Sequence, residues 1–160
     1  MPSDEEEFRV FYERMFPIAY RVAYRYGGSR NDAEDAAQEA LARAFQRWRR
    51  LRGQPWIDGW ILTTTINVLR KTGPRRARAG PNEPAPVPTD VDASLDLWKA
   101  IRELPNRQAE AVILYYVADL PIRSVADAMG CREGTAKAHL SRARARLAGA
   151  LAPLDRSREE

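Results

Sequence analysis

Three groups of side chains in this chain have the types and spacing to do chemistry. Asp35, Gln38 and Glu39 stand at i, i+3 and i+4, so on a helix they project from one face as a compact cluster of acceptors. An acidic face of this kind would be repelled by DNA and needs another role. A metal is the weaker alternative, and a solvated helix face is the plain one. Cys131 is the only cysteine and His139 the only histidine, which excludes a Cys/His zinc site within the chain. The second group is basic: Arg49, Arg50 and Arg52 flank Leu51 and Gly53, with Trp56 just beyond and Asn67, Arg70 and Lys71 further on. Arginines here suit a phosphate backbone. The Asn67 amide offers two donors and an acceptor, which suits the edge of a base. The third group is Arg132, Thr135, Lys137, Ala138, Ser141 and Arg142. Lysine and arginine can reach guanine O6 and N7, serine can bond base edges or phosphate, and alanine can touch a thymine methyl. No nucleophile–base pair, phosphate-cradling glycine loop or metal cluster is visible, so neither a reaction nor a cofactor is expected.

The elements that must position these groups read as helices. The chain is 44% hydrophobic and 30% charged, the balance of a globular protein rather than a disordered one. Its net charge of +4 hides an alternation: −4 over residues 1–40, +9 over 41–80, −4 over 81–120 and +3 over 121–160. Basic blocks favour nucleic acid; acidic blocks need another role. Phe8, Phe11, Tyr12, Met15 and Phe16 share a helical face, and Ile18, Val22 and Tyr26 extend a similar stripe past Pro17 until Gly27-Gly28-Ser29 ends it. A second helix is expected over Asp32–Trp48, with Ala36, Ala40, Phe45 and Trp48 on its apolar side, then a loop at Leu51–Pro55 and a third helix over Trp56–Lys71. Trp48, Trp56 and Trp60 fit either a core or a base-stacking platform.

Residues 73–92 hold Pro74, Pro81, Pro84, Pro86 and Pro88, which argue against a regular helix and for a linker. An extended proline-rich stretch of that length reaches about 60 Å. It divides the chain into 1–72 and 93–160. The second part is expected to hold helices over Leu95–Leu104, Asn106–Val117, Pro121–Met129 and Glu133–Leu151. The last two flank Gly130-Cys131-Arg132. A helix, a short glycine-containing turn and a longer basic helix make a helix-turn-helix pattern. Ala136, Leu140, Ala143 and Leu147 would form its buried stripe, with Lys137, Ser141 and Arg144 outside it; an ordinary helical hairpin is the bland alternative. Arg144 and Arg146 are expected to meet phosphates or acids of their own domain. The fold class expected is all-α: two small helical domains joined by a proline-rich linker.

At these residues the chain resembles the extracytoplasmic-function sigma factors of the sigma-70 family. The resemblance runs through Asp32-Ala33-Glu34-Asp35, Gln38-Glu39-Ala40, Ala44-Phe45, Leu51-Arg52-Gly53, Trp60-Ile61 and Asn67, then through Leu104-Pro105, Arg107-Gln108, Val125-Ala126, Met129-Gly130-Cys131, Gly134-Thr135-Ala136-Lys137 and Arg142-Ala143-Arg144. It implies that Asp35, Gln38 and Glu39 bind core RNA polymerase. It implies that Arg49, Arg50, Leu51, Arg52, Gly53, Trp56, Asn67, Arg70 and Lys71 meet a melted −10 element. Arg132, Thr135, Lys137, Ala138, Ser141 and Arg142 would meet a duplex −35 element. An anti-sigma factor is a further partner the family often has. Thr63 and Ile66 depart from the family, which often carries basic residues there, and Ser124 stands where it usually has Glu. Arg132 replaces a common small cap before the recognition helix, a loss that Glu133 partly offsets at the positive helix end.

The acidic Met1–Glu7 lacks an export signal's apolar core, and no apolar run approaches the roughly 18–20 residues of a membrane helix, so a cytoplasmic location without membrane insertion is expected. The competing function is a helix-turn-helix regulator whose first domain senses a ligand or dimerises. That reading leaves the acidic face and the arginine-rich 41–80 block without a role.

Overall fold

The computed structural model describes residues 1–27, 29–76 and 95–148. Every regular element among them is helical. They belong to two compact units, Met1–Ala85 and Pro86–Glu160.

In the first unit Ser3 launches α1 (Asp4–Tyr26) through a capping box. The Glu6 amide donates to Ser3 Oγ at 3.2 Å, and the Ser3 amide donates to Glu6 Oε2 at 2.9 Å. Asp4 to Glu7 occupy the positive end of the helix dipole. The helix passes through Pro17 unbroken. An interior proline costs about 3 kcal/mol. Val22, Ala23 and Tyr26 beyond it are buried, and one side chain of valine size contributes about 1.5–3 kcal/mol on burial, so packing outweighs the lost bond. Ser29 caps α2 (Arg30–Gln46), accepting from the Asp32 amide at 3.1 Å, which is why this helix starts two residues before the expected Asp32. Its inner row of Ala33, Ala36, Ala37, Ala40 and Ala44 is buried to within 1% of full enclosure. Side chains this small let α1 and α4 (Ile57–Arg76) approach α2, and the three helices pack pairwise. A single turn, α3 (Trp48–Leu51), precedes the loop to α4.

Several expectations change here. Phe45, placed on the apolar side of α2, is 47% exposed. Thr63 and Ile66 are buried, so the positions where basic residues were to be expected belong to the core. Thr63 Oγ1 donates to the Gly59 carbonyl at 3.2 Å and Thr65 Oγ1 to the Ile61 carbonyl at 2.7 Å, which lets threonine occupy that core. The third helix runs to Arg76, four residues into the segment assigned to the linker. A proline near a helix end forfeits one backbone bond, too little by itself to stop the helix. Residues 77–92 of that segment lie outside the described residues.

In the second unit α5 (Leu95–Glu103), α6 (Asn106–Val112), α7 (Ile122–Met129) and α8 (Glu133–Arg146) surround Trp98, Ile101, Val112, Ile113, Leu114 and Val125. The helix expected over Asn106–Val117 loosens into a π turn at Ile113–Val117, where the Ala118 amide donates to the Ile113 carbonyl at 2.9 Å. Asp119 at φ 54° then reverses the chain. Between α7 and α8, Gly130 takes the left-handed conformation (φ 67°, ψ 37°), and the Cys131 amide donates to the Ala126 carbonyl at 3.0 Å. That is a glycine C-cap, which a Cβ would strain. The stripe Ala136, Leu140, Ala143 and Leu147 is buried as the spacing requires. α8 ends at Arg146 rather than Leu151, and residues 149–151 lie outside the described residues.

Candidate nucleic-acid interface

Because Ala33, Ala36, Ala37 and Ala40 turn inward, α2 must turn Glu34, Asp35, Gln38 and Glu39 outward, and all four are exposed. Gln38 Nε2 donates to Glu34 Oε1 at 3.4 Å, and Arg43 Nε donates to Glu39 Oε1 at 3.0 Å. Asp35, Glu39 and Arg43 share a groove of about 270 Å³ with Val68, Lys71 and Thr72 of α4. Lys71, assigned to DNA from the sequence, therefore lies beside the acidic face.

The arginine group sits on α3 and the turn after it. Arg49, Arg50 and Arg52 are exposed, yet two of them already hold carboxylates. Arg49 Nε donates to Asp4 Oδ2 at 3.1 Å; Arg52 Nη1 donates to Asp4 Oδ1 at 2.9 Å and reaches Glu7 Oε2 at 3.4 Å. Gly53 has φ +76°, and no atom lies within 4 Å of where a Cβ would be, so it faces open space. Leu51 is 4% exposed: its side chain is core, which leaves only its backbone to line a site. Trp48 is buried against Phe8 and Phe11, whereas Trp56 and Trp60 are half-buried. Asn67 is half-buried, and its Oδ1 accepts from Arg70 Nη1 at 3.4 Å. Arg70 Nε donates to the Tyr26 hydroxyl at 2.8 Å, with its guanidinium 5.4 Å from that ring. Arg70 thus ties α4 to α1 rather than projecting freely.

On α8 the inward stripe leaves Arg132, Thr135, Lys137, Ser141 and Arg142 exposed and Ala138 half-buried. Arg132 makes no side-chain cap bond. Arg144 Nε donates to the Tyr116 hydroxyl at 2.7 Å, and its guanidinium lies 5.4 and 5.6 Å from the Tyr115 and Tyr116 rings. It thus lies against aromatic rings of its own domain.

Some side chains that shape the site carried no sequence signal of that role. Arg107 Nη1 donates to Glu110 Oε2 and Nη2 to the Met129 carbonyl, both at 2.8 Å, so α6 holds the turn from which α8 departs. Arg14 and Asp58 pair α1 with α4 through bonds of 2.8 and 2.9 Å. That hydrogen bond to Asp58 raises the Arg14 guanidinium further above its ordinary, already strongly basic range. A raised cation contributes its stability below the unfolded value, so Arg14 adds no pH dependence in the ordinary range. The acidic run Asp4–Glu7 was legible as charge, but its target 45 residues away was not.

Residues 11–78 match the family model of Sigma-70 region 2, and residues 94–147 match that of Sigma-70 region 4. The chain is 30% identical to the ECF RNA polymerase sigma factor SigE of Mycolicibacterium smegmatis over 95% of its own length and 63% of the relative's. It is 28% identical to the ECF RNA polymerase sigma factor SigM of Mycobacterium tuberculosis over 96% of this chain and 81% of the relative. With the RNA polymerase sigma factor SigV of Bacillus subtilis it shares 30% identity over 78% of each chain. Among solved structures it is similar to the sigma factor RpoE from Bartonella quintana, determined in complex with the anti-sigma factor NepR. The TM-score is 0.65 at 25% identity, covering 91% of this chain and 96% of that one.

Proposed function

The chain belongs to the extracytoplasmic-function sigma factors of the sigma-70 family, non-catalytic RNA polymerase subunits that initiate transcription, and from that premise we propose how its surfaces divide the work. The face of Asp35, Gln38 and Glu39 grips core polymerase through charge-assisted bonds to arginines of a helix pair in its clamp. Arg49, Arg50 and Arg52 follow the backbone of a melted −10 strand. The Gly53 turn and Asn67 hold an unstacked base, with half-buried Trp56 at hand for stacking. α8 enters the major groove of a −35 element with Thr135, Lys137, Ala138, Ser141 and Arg142, while Arg132 reaches phosphate.

Two adjustments follow from the packing. Leu51 contributes backbone only, and Arg70 supports Asn67 from behind. The division into 1–72, a linker over 73–92 and 93–160 carries over with its first boundary moved, since helical backbone extends to Arg76. The proline-rich residues 77–92 would then span about 50 Å. Together with the two domain bodies, that reach is enough for promoter elements about two DNA turns, or roughly 70 Å, apart. No described helix is long and apolar enough to cross a membrane; a cytoplasmic location goes with the proposed work. The Bartonella RpoE is bound by an anti-sigma factor, and a partner of that kind is proposed for this chain too.

The observation that carries the reading is the division of α8 into a buried apolar stripe and an exposed row of Thr135, Lys137, Ser141 and Arg142. The test is transcription in vitro: core enzyme plus this protein on fragmented genomic DNA, with the transcripts sequenced. The expected result is a defined set of start sites sharing two upstream elements. Start sites no different from core enzyme alone would overturn it.

A further inference from the structure

The loop that the proposed function assigns to a melted strand is not vacant. Asp4 uses both carboxylate oxygens, one on Arg49 at 3.1 Å and one on Arg52 at 2.9 Å, and Glu7 adds a third contact to Arg52 at 3.4 Å. The two oxygens of Asp4 are spaced much as two oxygens of one phosphate group, and they take the donors a phosphate would take. We propose that Asp4 and Glu7 act as an internal phosphate mimic, occupying Arg49 and Arg52 in the free protein so that nucleic acid offering only backbone charge is discriminated against.

Three features support a competing contact rather than a structural one. The acids are held in place independently of the arginines, because the Ser3–Glu6 capping box fixes the first turn of α1. The arginines need no acid to hold their fold, since the neighbouring Trp48 and Leu51 anchor α3 in the core. The contacts are open to solvent: the Arg49 side chain is 90% exposed, Arg52 47%, Asp4 38% and Glu7 37%. Ion pairs this exposed are weak and screened by salt. They would lower affinity by a small factor that a ligand with additional contacts readily overcomes. A strand that also seats a base has such contacts; one that offers only phosphates does not. Masking therefore falls most heavily on non-specific binding, whose free energy is almost all electrostatic.

The inference rests on the proposed role of the loop, and the test separates the two. The full chain is titrated into a fluorescent single-stranded thymidine homopolymer, and anisotropy is read at salt between about 50 and 200 mM. The proteins are the wild type, Asp4→Asn/Glu7→Gln, Glu5→Gln, Arg49→Gln/Arg52→Gln, and the combination of all four loop and acid substitutions; circular dichroism checks helicity. Glu5 is exposed on the same turn, so its variant removes a like charge without touching the contacts. Asp4→Asn/Glu7→Gln is expected to bind roughly two- to five-fold more tightly at low salt, the range of an exposed pair, with the gain shrinking as salt rises. Glu5→Gln should gain clearly less, and the gain should vanish when the arginines are absent. If Arg49→Gln/Arg52→Gln binds as well as wild type, the loop does not meet nucleic acid and the proposed role falls with the inference. If that variant weakens binding but the acid variant does not tighten it, or Glu5→Gln matches it, or its gain survives loss of the arginines, the role stands and the mimic is overturned.

Discussion

Lys137 and Arg142 lie outside the buried row of α8 and are exposed, so truncating either removes no core contact. Lys137→Ala and Arg142→Ala should each cost about 1–3 kcal/mol of promoter binding if they read base edges, and should relax preference at one base pair. A residue that meets only phosphate would instead weaken all sequences alike and lower the salt slope by about one. Binding to a randomised duplex library at two salt concentrations distinguishes the outcomes, and full promoter binding by the double variant would remove α8 from the reading role. Asn67 is a different kind of residue, half-buried and fixed from behind by Arg70. Asn67→Ala should cost about 0.5–1.5 kcal/mol, the worth of one neutral hydrogen bond. The loss should appear in promoter opening and not in core binding. Transcription from a fully paired promoter and from one with a pre-melted bubble measures this, and wild-type activity and base preference on both templates would make Asn67 structural. The arginines show where residue-level reading stops. Arg132 and Arg142 look like Arg14, Arg70, Arg107 and Arg144 in a sequence. The last four are bound to Asp58, Tyr26, the Met129 carbonyl and Tyr116, as Arg49 and Arg52 are to Asp4, and only tertiary packing selects such partners.

The helices were legible wherever a buried stripe repeats at helical spacing, as it does in α8 and α2, because burial and period are set by the same residues. Ser29, Gly130 and Pro105 mark ends by local chemistry, and α2, α7 and α6 begin or stop at those marks. The π turn at Ile113–Val117 was not legible: it carries Tyr115 and Tyr116, which lie beside Arg144, 28 residues beyond Tyr116. Phe45 misled because an aromatic at the right period need not be enclosed; it rests on Phe8 with centroids 4.9 Å apart and stays half open. The outer face of α2 follows from its inner one: a row of buried alanines forces Asp35, Gln38 and Glu39 outward together. Asp35→Arg or Glu39→Arg should therefore leave helicity unchanged while weakening core binding by about 2–5 kcal/mol, the scale of a broken interface charge pair with repulsion added. Competition against a labelled sigma factor for core enzyme reads this directly. Undiminished affinity in both variants would move the polymerase contact elsewhere.

At the scale of the whole molecule, the two units each close their own core, Met15, Ile61 and Ile66 in one and Ile101, Leu114 and Val125 in the other. Each can therefore hold its own surface in shape, and promoter recognition becomes a problem of bringing two such surfaces to one DNA. On the proposed division of labour, the residues between them act through length. Once the first unit is seated, the second binds at an effective concentration set by the linker, which is near zero if the span cannot be bridged and declines slowly once it can. Each doubling of a loop costs only about 0.6 kcal/mol, close to three-fold in occupancy. Duplicating residues 77–92 should accordingly lower transcription by roughly three-fold and no more. Deleting about half of them removes roughly 25 Å of reach and should abolish activity on promoters that depend on both elements. The same deletion should leave binding of each unit to its own isolated element unchanged, which shows that the loss lies in reach and not in folding. Activity retained after the deletion, or lost after the duplication, would mean that the segment between the units contributes by its own contacts and not by its length.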